Sequence, residues 1–315
     1  MINEKTLLRF QRAKAETGAD HTIMSSISGA EIIDAGIQTR GSLAAGILLA
    51  ELCMADRAQI AIVPTDSTQY VVDHAVSVRT DDPINSCLGS QYAGWPVQTD
   101  DFFAMGSGPM RLFRGKEDVL EELKLSEDGD HVVGVLESDK PPTPSAIELI
   151  AQQCDVQPSG VHLAIAPSTS IAGSVQVVAR SIETAMHKLH ALKFDVSSIV
   201  SGAGVAPLPP PAKPGDTVGG IGRTNDAILY GARVTLWVDC DDDKIDAVAD
   251  QVPSGSSKDH GQPFATIFKQ YDYDFYKVDP MLFSPAVVTF HNLRSGRTWN
   301  RGTIATDVMK ASFLK

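Results

Sequence analysis

Apolar positions recur along this chain with two spacings, and the alternation between them predicts a mixed α/β (α+β) protein. Residues 22–28 and 31–37 read as strands joined through Ser28-Gly29 as a hairpin. Residues 3–17 predict a charged surface helix closed by Gly18. Residues 42–54 are apolar on most sides and predict a buried helix, with Gly41 and Gly46 permitting close packing. Residues 58–63 and 69–78 are strand-like, broken by Pro64 and Asp66. Residues 83–93 predict a helix, followed by a turn at Gly94 into a strand.

The middle of the chain has the clearest order. Helices over 116–123 and 145–153 flank a strand over 131–136, and a second apolar run, 161–166, precedes a long helical pattern. This βαβα order predicts a parallel strand pair with a right-handed crossover. Pro167, Ser168, Thr169 and Ser170 offer a turn and N-cap hydroxyls. At about 100° per residue, Ile171, Val175, Val178, Ile182, Met186 and Leu189 form one core-facing stripe. Gly173, Gln176, Arg180, Glu183 and His187 gather on the opposite side.

Beyond Lys193 the pattern weakens. Residues 206–214 are proline-rich, and Gly219, Gly220 and Gly222 extend the irregular stretch to more than about 20 residues, a length usually tied to function or mobility. Residues 227–239 then read as a strand bent near Gly231. A charge cluster at 241–246 opens a short helix; 262–269 is helical, 285–292 a strand and 303–313 a closing helix. No internal repeat is seen. The self-contained βαβα unit suggests two subdomains, one of 1–80 with 225–315, the other of 81–224 carrying the long helix.

Composition narrows the function. The chain has 315 residues, enough for two domains or one large one. Its formal charge is −12 with no lysine or arginine block, which argues against nucleic acid and against an anionic membrane surface as partners. Cys53, Cys87, Cys154 and Cys240 lack the spacing of a disulfide framework or a zinc site, and read as free thiols. No secretory h-region and no membrane-length apolar run is present, so a cytoplasmic protein is expected.

Candidate chemistry is sparse. Ala104-Met-Gly-Ser-Gly-Pro109 lacks the third glycine of a dinucleotide fingerprint and the lysine of a P-loop. It is either a tight turn or a loop whose backbone N–H groups, near Gly106 and Ser107, face a ligand. His187 and His190 lie three apart but lack a third metal ligand, and the acidic cluster at 241–246 lacks the glycine and glutamate of an EF-hand loop; no metal is expected. Asn225-Asp226 offers two polar ligands at the mouth of the strand, or an Asx turn. The alternating aromatic and acidic residues of 272–277 suit an oligomer contact, a pocket wall or a half-buried strand equally. Arg180 and Glu183 sit three apart, so their side chains meet on a helix. On a solvated face such a pair contributes roughly 0.2–0.5 kcal/mol and carries no function. In a pocket the arginine favours a charged carboxylate and burial opposes it, which suits proton exchange with water.

Four long blocks carry a resemblance. "APSTSIAGSVQVVARSIET", "GWPVQTDDFFAMGSGP", "GRTNDAILYGARVTLWV" and "QPFATIFKQYDYDFYKVDP" resemble blocks of the methenyltetrahydromethanopterin cyclohydrolase family. The resemblance runs from about Asp34 to the C-terminus. It implies two α/β subdomains with a large pocket between them, a homotrimer, and a reduced-pterin substrate in one-carbon metabolism. The implied reaction is hydrolysis of the methenyl bridge to the N5-formyl carrier, without redox cofactor or metal. By the same resemblance Glu183 is the catalytic carboxylate and Arg180 its positioning partner. Substrate is expected near Tyr92, Gly106, Ser107, Thr169, Ser170, Gln176, Asn225 and Asp226. One position departs from the archaeal pattern: Gln91-Tyr92-Ala93-Gly94-Trp95 has tyrosine where archaeal members have a lysine thought to face substrate. Tyr92 keeps a hydroxyl donor and loses the charge. That change fits a bacterial pathway such as formaldehyde oxidation in a methylotroph. The alternatives are a formyltransferase or dehydrogenase on the same carrier, or a non-catalytic carrier-binding protein. A dehydrogenase lacks support from any nucleotide fingerprint, and the Arg180–Glu183 pair speaks against a passive binder.

Overall fold

The computed structural model describes residues 1–66, 68, 70–92 and 94–314, and leaves the Tyr276 side chain aside. Gln69, the expected start of a strand, and Ala93, the expected end of a helix, lie outside the described residues. The chain forms two compact units: Met1–Ala58 with Asn85–Gln176, and Gln59–Ile84 with Val177–Lys315. This differs from the expected division, because residues 1–58 fall with the middle of the chain, whereas residues 81–84 and 177–224 fall with the C-terminal third. Strand pairing is the reason, and it links segments that are distant in sequence.

The first unit is built on a six-stranded sheet. Its order is β1 (Ile23–Ile27), β2 (Ala30–Asp34), β8 (Val161–Ala166), β7 (Val132–Glu137), β6 (Phe103–Ser107) and β5 (Trp95–Gln98). The central strands β2, β8 and β7 are parallel, as the βαβα pattern predicts, and the flanking pairs are antiparallel. The β1–β2 hairpin turns at Ser28 and Gly29, both with positive φ.

Successive strand residues point to opposite faces, and here both faces are covered. Leu163 and Ile165 join Val132, Leu136, Trp95 and Ile147 in one apolar cluster, whereas Ala164 and Ala166 join Val133, Val135, Ile33 and Phe10 in another. A strand buried on both sides reads as an unbroken apolar run, which is why 161–166 was legible. Helix α5 (Pro144–Cys154) covers the first face; α1 (Ile2–Glu16) and α2 (Leu43–Cys53) cover the second. Two short helices, α3 (Met110–Arg114) and α4 (Asp118–Glu122), lie between β6 and β7 in sequence. Helix α6 (Ile171–Val178) packs close to α2, since a Cβ on Gly46 would sit 2.6 Å from Val175 Cβ.

The second unit has its own six-stranded sheet, in the order β12 (Thr298–Gly302), β11 (Val287–Asn292), β10 (Arg233–Val238), β9 (Ile199–Pro207), β4 (His74–Thr80) and β3 (Gln59–Pro64). Only β10–β11 is parallel. Helix α7 (Ser181–Ala191) packs on β9 and β10. Helix α8 (Thr217–Gly231) packs on β9, with α10 (Phe264–Gln270) and α11 (Thr306–Phe313) against it. The short helix α9 (Asp242–Asp246) pairs Asp242 and Asp246 with Arg297, and Asp241 just before it pairs with Arg294.

Several expectations are corrected here. Strand β9 runs through Ala206 and Pro207, and α8 starts at Thr217, so the irregular stretch is far shorter than expected. Asp216 caps α8 by accepting from the Gly219 N–H at 2.9 Å. Residues 227–239 are not one strand: helix α8 continues to Gly231 and β10 begins at Arg233. A short, uniformly apolar run fits a buried helix as well as a buried strand, and tertiary packing chose both in succession. Residues 84–91 form a π-helix rather than an α-helix.

Candidate active site

The long helical pattern from 171 to 189 is two helices. Helix α6 ends at Val178, and α7 begins at Ser181 after Arg180 with φ −85° and ψ 10°. No proline or glycine marks the break. Its reason lies in the two halves of the apolar stripe, which serve different cores. Val175 packs against α2 in the first unit, whereas Ile182 lies over Gly202 of β9 in the second. A Cβ on Gly202 would sit 2.9 Å from Ile182 Cγ2, so the glycines of β9 let α7 lie close on the sheet.

The break changes the setting of Glu183. Arg180 becomes the N-cap residue of α7 and Glu183 its third residue. First-turn N–H groups lack intrahelical acceptors, and the helix dipole favours a carboxylate there. Glu183 is 3% exposed and Arg180 14% exposed at the side chain, so the pair is withdrawn from solvent. Arg180 donates from Nε to Glu183 Oε2 at 3.1 Å, and its Nη2 lies 3.0 Å from the same oxygen in an ion pair. Among the described residues no donor reaches Oε1. One carboxylate oxygen is thus pinned and the other is left open.

Farther along α7, Lys188 is fully buried. Its ammonium donates to the Met281 carbonyl and to Ser256 Oγ at 3.3 Å. Burial pushes it down to about 8, against the opposing pull of Asp279. This residue ties α7 to the segments around 256 and 281.

The first unit holds Tyr92, Gly106, Ser107, Thr169, Ser170 and Gln176. Ser170 Oγ accepts from the Gly173 N–H at 2.9 Å and donates to the Pro167 carbonyl at 2.8 Å, the arrangement of an N-cap on α6. Thr169 is half-buried beside it. Gln176 donates from Nε2 to Cys53 Sγ at 3.3 Å, and Ser107 Oγ donates to the Gln91 carbonyl at 2.7 Å with Cys53 Sγ 3.4 Å away. Cys53 therefore joins Gln176 to Ser107, an association that no spacing in the sequence signals. Gly106 lies within β6, packed against Met110, and the turn comes one residue beyond Ser107, at Gly108 with φ +95°. The Gly108 N–H is taken by the Ser90 carbonyl at 2.8 Å.

Tyr92 is half-buried, with the Arg111 guanidinium 5.0 Å from its ring centroid. Arg111 is fully buried and paired with Glu117. Neither residue was a sequence candidate, and a buried arginine leaves no trace in hydropathy. Asn225 and Asp226 belong to the second unit and sit inside α8, not at the mouth of a strand. Asn225 donates to the Ile221 carbonyl at 2.8 Å, and the fully buried Asp226 accepts from the Phe264 N–H at 2.7 Å, which anchors the start of α10.

Comparison with known proteins shows which family the chain is similar to. The family model described as Cyclohydrolase (MCH) matches residues 2–313. A methenyltetrahydromethanopterin cyclohydrolase from Rhodopirellula baltica is 63% identical over 291 residues, covering 91% of this chain and 87% of its own. The protein of that name from Methylobacillus flagellatus is 44% identical over 286 residues, covering 91% and 86%. The one from Methanothermobacter marburgensis is 38% identical over 290 residues, covering 91% and 90%. With a family match over residues 2–313 and a relative 63% identical over 91% of its length, the chain belongs to the cyclohydrolase (MCH) family.

Proposed function

We propose that this chain hydrolyses the methenyl bridge of 5,10-methenyl-tetrahydromethanopterin, or of its dephospho form, to the N5-formyl carrier. The observation that carries the mechanism is the asymmetry at Glu183: Oε2 is pinned by two guanidinium nitrogens, while Oε1 is open. Water bound at Oε1 gives a proton to the carboxylate as its oxygen bonds to the electron-poor amidinium carbon. The cation is thereby neutralised to a hydroxy adduct. Glu183 then returns the proton to N10 as the C–N10 bond breaks. The adduct hydroxyl loses its proton as the formyl C=O forms, so one proton is released per turnover. The cationic substrate favours an ionised Glu183 at the start, and loss of that charge on hydration favours proton delivery in the second step.

Arg180 is the positioning partner. Tyr92, Gly106, Ser107, Thr169, Ser170, Gln176, Asn225 and Asp226 are the proposed substrate-side residues. Tyr92 and Gln176 are supported best, as half-buried or buried polar groups held in a fixed orientation. The reaction needs no redox cofactor and no metal. The proposed setting is a cytoplasmic homotrimer, which the family resemblance supports. No helix among the described residues is long and apolar enough to cross a membrane.

The test is loss of the methenyl chromophore with purified protein in metal-free buffer without nucleotides. Fast decay by the wild type, abolished by Glu183→Gln, is the expected result. Decay at the spontaneous rate on both carrier forms would overturn the reading.

A further inference from the structure

A buried clamp stands behind Tyr92. The segment Ile84–Gln91 is π-helical, and residues 86–91 are all buried. The π pattern reaches Tyr92, whose N–H donates to the Cys87 carbonyl five residues back at 2.9 Å. Tyr92 therefore owes its direction to the π register; an α-helical turn would swing its side chain elsewhere. π-Helical hydrogen bonding is uncommon and is seldom stable without support from its surroundings.

Arg111 supplies that support. Its Nη1 donates to the Leu88 carbonyl at 3.0 Å and to the Ser90 carbonyl at 3.2 Å, both near the end of the π segment. Nε donates to Glu117 Oε1 at 2.9 Å, and Nη2 bonds the other carboxylate oxygen. The central carbon of the same guanidinium lies over the Tyr92 ring, 5.0 Å from its centroid. Gly94 completes the fit: a Cβ there would sit 2.6 Å from Tyr92 Cε1 and would overlap Glu117 Oε2. One cation thus braces the backbone register that aims Tyr92 and lies over its ring.

We infer that Arg111, held by Glu117, is a positioning residue that sets carrier affinity through Tyr92. The inference rests on the cyclohydrolase reading above, with Tyr92 on the substrate side. Arg111 does not touch substrate in this scheme. Lysine cannot replace it, because an ammonium point charge cannot hold two carboxylate oxygens and two carbonyls in the fork geometry of a guanidinium.

The experiment is a double-mutant cycle on steady-state methenyl hydrolysis with the full-length protein: wild type, Arg111→Lys, Tyr92→Ala and the double variant. Thermal melts confirm that each is folded. Arg111→Lys is expected to raise KM about tenfold while lowering kcat far less, and to add no further rise once Tyr92 is alanine. KM effects that multiply independently would overturn the inference, as would a fall in kcat matching the rise in KM. If Arg111→Lys does not fold, Glu117→Gln loosens the clamp from its other side and is read against Tyr92→Ala in the same way. An inactive wild type is a different failure: it defeats the cyclohydrolase reading and takes this inference with it. Active wild type with KM effects that multiply independently defeats only the role of Arg111.

Discussion

Arg180 grips Glu183 by a single oxygen. Both guanidinium contacts, at 3.1 and 3.0 Å, end on Oε2, and Oε1 is left open in a setting almost closed to bulk water. A side-by-side pairing that used both oxygens would give a stronger structural ion pair and a poorer base. Glutamine at 183 retains the shape and loses the proton acceptor. Glu183→Gln is therefore expected to lower kcat by about 10²–10⁴-fold with a much smaller change in KM. Initial rates of methenyl decay measure this, and a near-normal kcat would move the base elsewhere.

Arg180→Lys keeps a positive charge beside the carboxylate but cannot hold Oε2 with two nitrogens. We expect kcat to fall by roughly tenfold, less than for loss of the carboxylate itself. A kcat equal to that of the wild type would show that charge alone, without orientation, is what Arg180 contributes.

Lys188 makes stability depend on alkaline pH. Its folded value is about 8 and its ordinary value 10.5. Between those values the unfolded chain holds a proton that the folded chain has released. The lysine's contribution to stability is therefore fully present above 10.5 and is lost as pH falls through 8. Relative to Lys188→Met, the wild type should gain stability on the order of 2 kcal/mol from pH 7.5 to 10.5. Urea melts of both proteins across that window test it, and a constant difference would show that burial does not depress this lysine.

Gly46→Ala is expected to destabilise by about 1–3 kcal/mol. The added methyl would meet Val175 Cβ at 2.6 Å and the Ala172 backbone at 3.0 Å, on two helices with no room to part cheaply. Thermal denaturation reads this directly; an unchanged midpoint would mean that α2 and α6 can separate.

Ser181→Ala should go the other way. Ser181 Oγ is fully buried on the face of α7 toward β9 and has no hydrogen-bond partner among the described residues. Removing it relieves an unmet desolvation cost, so the variant should be as stable as the wild type or more stable by up to about 1 kcal/mol. A clear loss of stability would reveal a bond that this hydroxyl makes.

Local pattern was readable wherever a segment's burial follows its own sequence. Strands β7 and β8, with side chains of both parities buried, and the amphipathic α5 fall in this class. The opposite case is β9, Ile-Val-Ser-Gly-Ala-Gly-Val-Ala-Pro, whose small residues are selected by a helix lying close above them rather than by hydrophobic alternation. Without α7 in view, that sequence reads as loop. The continuation of α8 to Gly231 was hidden for a related reason: Ile228, Leu229 and Tyr230 are buried on several sides, so neither period shows.

Taken alone, the sequence determined the α/β class, most of the elements, the three-residue spacing that lets Arg180 meet Glu183, and the likeness to the cyclohydrolase family. These follow from contacts between near neighbours, where spacing translates directly into geometry. Tertiary structure decided the rest. It broke one periodic stripe into two helices because its halves serve two cores, and so placed Glu183 in a first helical turn. It withdrew that carboxylate from water, joined Gln176 to Ser107 through Cys53, and set Arg111 against Tyr92. Desolvation and strand pairing depend on residues far apart in the chain, and spacing along one segment carries no record of them.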